Sequence, residues 1–111
     1  MYVEYIDIKD GAFEAYNSLH IRANRSIKVT FYTMLNDYVI HDDHTLSEGI
    51  CVYITFILML IEKGEDFSFL IEPLKEKLEK ITDEQLQKEI EDPNDIKLLK
   101  EDLEKLKPYL Q

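Results

Sequence analysis

The fold of this chain is decided by one stretch, Thr45-Leu-Ser-Glu-Gly-Ile-Cys-Val-Tyr-Ile-Thr-Phe-Ile-Leu-Met-Leu-Ile-Glu-Lys-Gly64. Thr45 and Glu48 have the spacing of a capping box, in which each side chain satisfies a free backbone donor of the other residue. Gly64 stands where a helix C-cap belongs. The β-branched residues between them also suit a strand, but the length between cap and glycine favours a helix. The stretch therefore predicts a central helix that is buried almost all round.

The uncharged part of this helix is too short to cross a bilayer. It runs from Gly49 to Ile61, 13 residues, whereas a span takes roughly 20. The N-terminus has neither the basic start nor the apolar core of a signal peptide. Cys51 is the single cysteine, which excludes an internal disulfide, and its apolar neighbours predict a buried structural thiol. We therefore expect a cytoplasmic protein without a membrane segment.

The N-terminal part of the chain predicts further helices. Asp10 is a good N-cap for a first helix that carries Phe13. In residues 1–8 the apolar side chains of Met1, Val3 and Tyr5 alternate weakly with their neighbours, a pattern that suits either a short strand or an extended lead-in. The lead-in is favoured because the sequence predicts no partner strand elsewhere. An apolar stripe from Ile27 to Tyr38 predicts a second helical segment. Whether residues 11–40 form one bent helix or two stays open.

The C-terminal part predicts three more helices. One opens near Asp66 or Ser68 and runs to Ile81, and a short one follows a capping-box spacing at Thr82. The last begins with Asp92 and Pro93, and an apolar seam along it docks onto the bundle rather than forming a dimer zipper: Ile96, Leu99, Leu103, Leu106 and Leu110. The sequence thus predicts an all-α fold, with residues 1–111 forming a single compact bundle of about five helices. The predicted core of the central helix is Val52, Ile54, Phe56, Ile57 and Leu60.

Composition restricts the class of partner. Asp and Glu number 23 and Lys and Arg 13, so the formal net charge is −10. A surface of this kind repels nucleic-acid phosphates and anionic membranes and attracts basic partners. We expect no direct binding of nucleic acid and no membrane association.

The sequence contains no recognisable motif for catalysis or cofactor binding. The serines lack a nucleophile-elbow pattern and no glycine-rich phosphate loop occurs. The segment His41-Asp-Asp-His44 has metal-ligand residue types, but no second cluster stands elsewhere to complete a site, so a polar inter-helix loop is the favoured interpretation. We expect no catalytic residue, no metal and no cofactor, and a protein that is not an enzyme.

Two acidic clusters flank the central helix and predict a partner-binding surface. The segment Asn36–Glu48 holds four acids, no Lys or Arg, and one tyrosine near the acids. Charges steer the encounter with a basic partner, and a desolvated tyrosine supplies anchoring energy. The predicted contact residues are Asp37, Tyr38, Asp42, Asp43 and Glu48, extended by Glu62, Glu65 and Asp66. The alternative is an ordinary acidic loop beside a half-buried tyrosine.

The layout resembles the small, acidic, all-helical immunity proteins of bacterial polymorphic and contact-dependent toxin systems. The similar parts are the Phe13–Tyr16–Asn17 helix, the Ile27–Asp37 helix with Thr30 and Asp37, the acidic link Asp42–Asp43, the apolar central helix ending in Glu62-Lys-Gly64, and the Lys/Glu-rich final helices. The resemblance implies a monomeric cytoplasmic protein that binds a cognate toxin domain, often a basic nuclease, and blocks its active site or substrate groove.

Two other classes of function stay open. One is an acidic nucleic-acid mimic from a mobile element that inhibits a host nuclease or DNA-binding protein. It would spread negative charge regularly over one long face, whereas this chain interleaves Lys through residues 75–107. The other is a helical adaptor or regulatory subunit that dimerises through its C-terminal helix. A catalytic role has the least support.

Overall fold

The computed structural model describes residues 4–40 and 45–111, and every regular element within them is helical. The six α-helices are α1 (Tyr5–Tyr16), α2 (Ile27–Val39), α3 (Leu46–Glu62), α4 (Ile71–Lys80), α5 (Asp83–Glu89) and α6 (Pro93–Leu110). A π-helical turn, Asn17–Arg22, continues α1, and a 3-10 turn, Ser68–Leu70, precedes α4. The predicted all-α class is confirmed, with six helices in place of about five.

Helix α3 lies at the centre of the bundle, as its composition predicts. The backbone N–H of Glu48 donates to the hydroxyl of Thr45 at 3.1 Å, and Gly64 ends the helix with φ +69. Helices α1 and α4 make its most extensive contacts. All five predicted core residues are buried: Val52, Ile54, Phe56, Ile57 and Leu60.

The predicted start of the first helix, after Asp10, is wrong: α1 begins at Tyr5. Tyr5 is fully buried, and its backbone N–H donates to a carboxylate oxygen of Asp95 at 3.1 Å. Its hydroxyl donates to Asp102 at 2.6 Å. Both acids lie on α6, so a contact across the bundle, not a local cap, sets the first turn. The extended lead-in predicted for residues 1–8 is therefore wrong for residues 5–8, which are helical, and residues 1–3 lie outside the described residues.

Residues 11–40 form two helices, which answers the question the sequence left open. After the π-helical turn, Asn24 adopts a left-handed conformation with φ +55. The hydroxyl of Ser26 then caps α2 by accepting a hydrogen bond from the N–H of Val29 at 3.2 Å. Because short polar residues such as Asn tolerate positive φ, this link reverses the chain without glycine. Helix α2 therefore returns along α1.

The last two helices, α5 and α6, begin where the sequence predicts, whereas α4 begins at Ile71, after the 3-10 turn and later than the predicted start near Asp66 or Ser68. The hydroxyl of Thr82 accepts from the N–H of Gln85 at 3.1 Å, and the carboxylate of Asp92 accepts from the N–H of Asn94 at 2.9 Å. On α6, Leu99 and Leu106 are fully buried, and the rest of the predicted seam packs against the core: Ile96, Leu103 and Leu110. The seam is thus used within the bundle. No helix in the described ranges is both long and apolar enough to span a membrane.

Candidate functional site

Two of the predicted contact residues, Asp37 and Tyr38, line an open apolar cavity of about 220 Å³. We call it the α1–α2 groove, because α1 and α2 form its sides and α3 forms its floor. Its lining residues are Ile8, Gly11, Ala12, Ala15, Leu19, Met34, Asp37, Tyr38, Val52 and Phe56. The carboxylate of Asp37 is the one charged group among them.

The groove exists because one face of α1 carries very short side chains. Gly11, Ala12 and Ala15 stand at helical spacing on this face, between Ile8 and Leu19. A Cβ atom built on Gly11 would meet no other heavy atom within 4 Å. The side chains therefore stop short of α2 and leave the space between the helices open. The helix predicted after Asp10 contains this stripe, but sequence reasoning did not single it out, because Gly and Ala add little to an apolar pattern.

Tyr38 forms a fixed wall of the groove. Its ring meets that of Tyr53 edge to face, with centroids 6.2 Å apart. A Cβ atom on Gly49 would lie 3.0 Å from the Tyr38 hydroxyl oxygen, so glycine allows the close approach of this phenol. Burial raises the pKa of Tyr38, and the negative charge of Glu48 adds to the effect. The phenol is therefore neutral at physiological pH.

Exposed carboxylates stand on both sides of the groove. On α1, Asp7 and Glu14 lie four and three residues from Gly11, on the same side of the helix as that residue. On α2, Asp37 is exposed at the groove edge. We call Asp7, Glu14 and Asp37 the flanking carboxylates. Ion pairs between described residues join lysines to other acids: Asp102, Glu72 and Glu104.

A second, wider cavity of about 510 Å³ opens beyond the N-terminal end of α1. Its lining combines two distant parts of the chain: Glu4, Ile6, Asp7, Glu91, Asp92, Pro93 and Asp95. A hydrogen bond with Asp7 and repulsion from the same carboxylate raise the pKa of Glu4. Sequence reasoning did not find this cleft, because its acids meet only when α1 docks beside the α5–α6 link. The acid surplus therefore extends along α1, away from the predicted clusters.

Four lysines in the described residues lie over tyrosine rings, so part of the positive charge of the protein is engaged in these contacts. The Nζ atoms lie 4.2 to 6.0 Å from the ring centroids in four pairs: Lys63 with Tyr16, Lys9 with Tyr5, Lys77 with Tyr53 and Lys28 with Tyr32. A cation over an aromatic face is attracted by the ring quadrupole. The Lys9 ammonium also pairs with Asp102 at 2.8 Å.

The predicted extension of the contact surface lies at the other end of α3. Glu62, Glu65 and Asp66 are exposed there. A hydrogen bond from the backbone N–H of Ser68 lowers the pKa of Asp66. Since α3 has 17 residues, its two ends are about 25 Å apart. The two predicted clusters therefore do not form one local patch.

This second cluster also has aromatic neighbours. Glu65 and Asp66 line a cavity of about 90 Å³ with Tyr32 and Phe69, whose rings stack with centroids 4.8 Å apart. Lys28 lines the same cavity, so its charge is mixed. At the first end, Glu48 is half-buried, whereas Asp42 and Asp43 lie outside the described residues.

The described residues contain no group of three or more His, Cys, Asp or Glu side chains arranged to hold a metal ion. The segment His41–His44 lies outside them. Cys51 is fully buried, as the sequence predicts, and burial raises the pKa of its thiol to about 12. A thiol in that state is a poor nucleophile.

Comparisons with known proteins add no relative. No protein-family model, curated protein or solved structure matches the chain. Function is therefore inferred from the side chains and their geometry.

Proposed function

We propose that this protein is an immunity protein that binds a cognate toxin domain with a basic surface and neutralises it in the cytoplasm, acting as a monomer. The observation that carries the proposal is the α1–α2 groove: an apolar cavity with exposed carboxylates on both sides. The resemblance in layout and the net charge of −10 point to the same class of partner.

The two parts of this surface have different tasks in binding. Carboxylates at the rim accelerate the encounter with a basic surface and select its orientation. An apolar cavity removes an anchoring side chain from water, and such desolvated anchors supply most of the energy that slows dissociation. In the proposed contact surface, Asp37 and Tyr38 stand at the groove, and Asp42, Asp43 and Glu48 follow them along the chain. Glu62, Glu65 and Asp66 are proposed as an extension for a large partner.

The test uses the C-terminal domain of the secreted protein encoded directly upstream of this gene. We expect co-expression of the two chains to restore growth that the toxin domain alone abolishes. The association rate of the purified pair falls at least about tenfold between low and high salt, because screening shortens the range of the rim charges. Absence of a complex, or a gene neighbourhood without a secreted toxin, contradicts the proposal.

Charge reversal at Asp42 and Asp43 tests the proposed residues within the same complex. The double substitution Asp42→Lys with Asp43→Lys is expected to slow association about tenfold while leaving thermal unfolding nearly unchanged. A matched reversal of two exposed acids on α4 and α5, Glu76→Lys with Glu84→Lys, changes the net charge equally. If both double variants slow association to the same extent, the effect is one of net charge and the proposed residues are wrong.

A further inference from the structure

The shape of the α1–α2 groove indicates what kind of structure it receives. Its first side, formed by α1 and the π-helical turn that continues it, extends from Ile8 to Leu19, about 16 Å along the helix axis at roughly 1.5 Å per residue. Its volume of about 220 Å³ is below the roughly 300–1,000 Å³ typical of small-molecule sites. A long, shallow, apolar groove with small residues along its α1 side suits a row of protein side chains, because short side chains let another backbone approach closely.

The charges around the groove indicate the composition of that segment. Asp7 and Glu14 stand on the α1 side and Asp37 on the α2 side, so a segment lying between the helices has carboxylates along both of its edges. An occupant with an apolar stripe and basic residues on either side matches this arrangement. An amphipathic helix provides that pattern, with apolar residues at three- and four-residue steps.

The distribution of charge along the groove indicates an orientation. Because α2 returns along α1, Asp7 and Asp37 lie toward one end of the groove, and the carboxylate-lined cleft opens beyond that end. The opposite end is next to the link between the two helices, where Arg22 and Arg25 are exposed. A bound helix therefore places the denser part of its Lys and Arg residues at the Asp7–Asp37 end.

We propose that the α1–α2 groove is the docking site for a basic amphipathic helix of the partner protein, with the apolar stripe of that helix in the groove and its Lys and Arg residues on the flanking carboxylates. This inference rests on the proposed function for the identity of the partner. The chemistry of the occupant follows from the groove itself.

The first test uses a synthetic 18-residue helical peptide of leucine and lysine as the probe. It is titrated into the full-length ¹⁵N-labelled protein, and backbone amide shifts are recorded. We expect saturable binding, with the largest shifts at Ile8, Ala12, Ala15 and Leu19. A control peptide with glutamate in place of every lysine is expected not to bind. Shifts spread over all acidic helices without saturation would overturn the proposal.

Gly11→Leu tests the groove sterically without disturbing the core. A side chain at Gly11 starts in open space, and leucine is a better helix former than glycine, so the variant is expected to fold and partly fill the groove. Peptide affinity falls at least tenfold. Gln87→Leu, at an exposed position of α5, adds the same apolar side chain elsewhere and leaves affinity unchanged. Equal affinity of the two variants overturns the proposal.

Charge neutralisation separates docking in the groove from simple attraction. Asp7→Asn with Asp37→Asn is expected to weaken peptide binding three- to tenfold, more than the equally neutralising pair Glu76→Gln with Glu84→Gln.

The groove inference and the proposed function fail on different results. If the peptide binds in the groove but the upstream toxin domain is not neutralised, the proposed function fails. If the toxin is neutralised equally well by Gly11→Leu, the groove inference fails.

Discussion

Replacing Asp102 with alanine is expected to lower the free energy of unfolding by about 3–4 kcal/mol. The Asp102 carboxylate is 2% exposed. It accepts a hydrogen bond of 2.6 Å from the Tyr5 hydroxyl and lies 2.8 Å from the Lys9 ammonium. Removing it leaves a buried hydroxyl and a half-buried ammonium without their acceptor, and such orphaned groups bear the full cost of lost hydration. Urea denaturation of the two proteins measures the difference.

A neighbouring acid on the same helix provides the control. Glu104 is exposed and pairs with Lys107 at 3.4 Å, and a surface pair of this kind contributes about 0–1 kcal/mol. Glu104→Ala is therefore expected to change stability by less than about 1 kcal/mol. Equal effects of the two substitutions would show that the contact between α1 and α6 does not hold the first helix in place.

The same carboxylate gives stability a defined dependence on pH. Burial by itself opposes ionisation of Asp102, but hydrogen bonds from Lys9 and Tyr5 outweigh it and hold the pKa below its ordinary value of 3.8. A pKa that is lower in the folded state than in the unfolded state means that the stabilisation is complete above the unfolded value. It is lost as the pH falls below 3.8 through the folded-state pKa. In Asp102→Ala this part of the acid dependence is absent.

Ile57→Ala is the second large effect, with an expected loss of about 3–4 kcal/mol in unfolding free energy. Ile57 is fully buried on α3, so the substitution removes apolar contacts and leaves a cavity at the centre of the bundle. Each kcal/mol corresponds to roughly 4–8 °C in a domain of about this size, so the melting temperature is expected to fall by about 12 °C or more. Calorimetry and urea denaturation record both quantities.

Two companion substitutions separate the cavity from other causes. Ile57→Val removes a single methylene at the same position and is expected to cost about 1 kcal/mol. Val39→Ala shortens an exposed side chain on α2 and is expected to lie within about 0.5 kcal/mol of the parent protein. If Ile57→Ala is as mild as Val39→Ala, α3 is not the centre of the core.

The features that sequence reasoning predicted correctly are local ones. Thr45, Thr82 and Asp92 cap the helices that follow them, because a capping side chain bonds to a backbone group two or three residues away. The start of α1 is different. Tyr5 donates hydrogen bonds to residues 90 and 97 positions further along the chain, and no local pattern near Tyr5 encodes those partners.

In the candidate site, too, the part formed by neighbouring residues was predicted and the part formed by distant residues was not. The acidic segment with Tyr38 was visible as a cluster of neighbouring residues, and the structure sets Asp37 and Tyr38 on the groove. The opposite wall was not recognised: its small residues from Gly11 onward give no apolar signal, and Ile8 belongs to the part of α1 before Asp10, whose first turn depends on α6. The cleft joins acids near residues 4–7 with acids near 91–95, and charge counts along a sequence do not show which acids meet in space.

Hydrogen–deuterium exchange of the complex with the upstream toxin domain tests the central claim most directly, because it maps the contact surface over the whole chain. If the α1–α2 groove is the contact surface, amide exchange slows in α1 and in the C-terminal half of α2. Exchange on the outer face of α6 stays the same as in the free protein. Protection confined to residues 62–66, or to α6, with α1 exchanging as in the free protein, would contradict it.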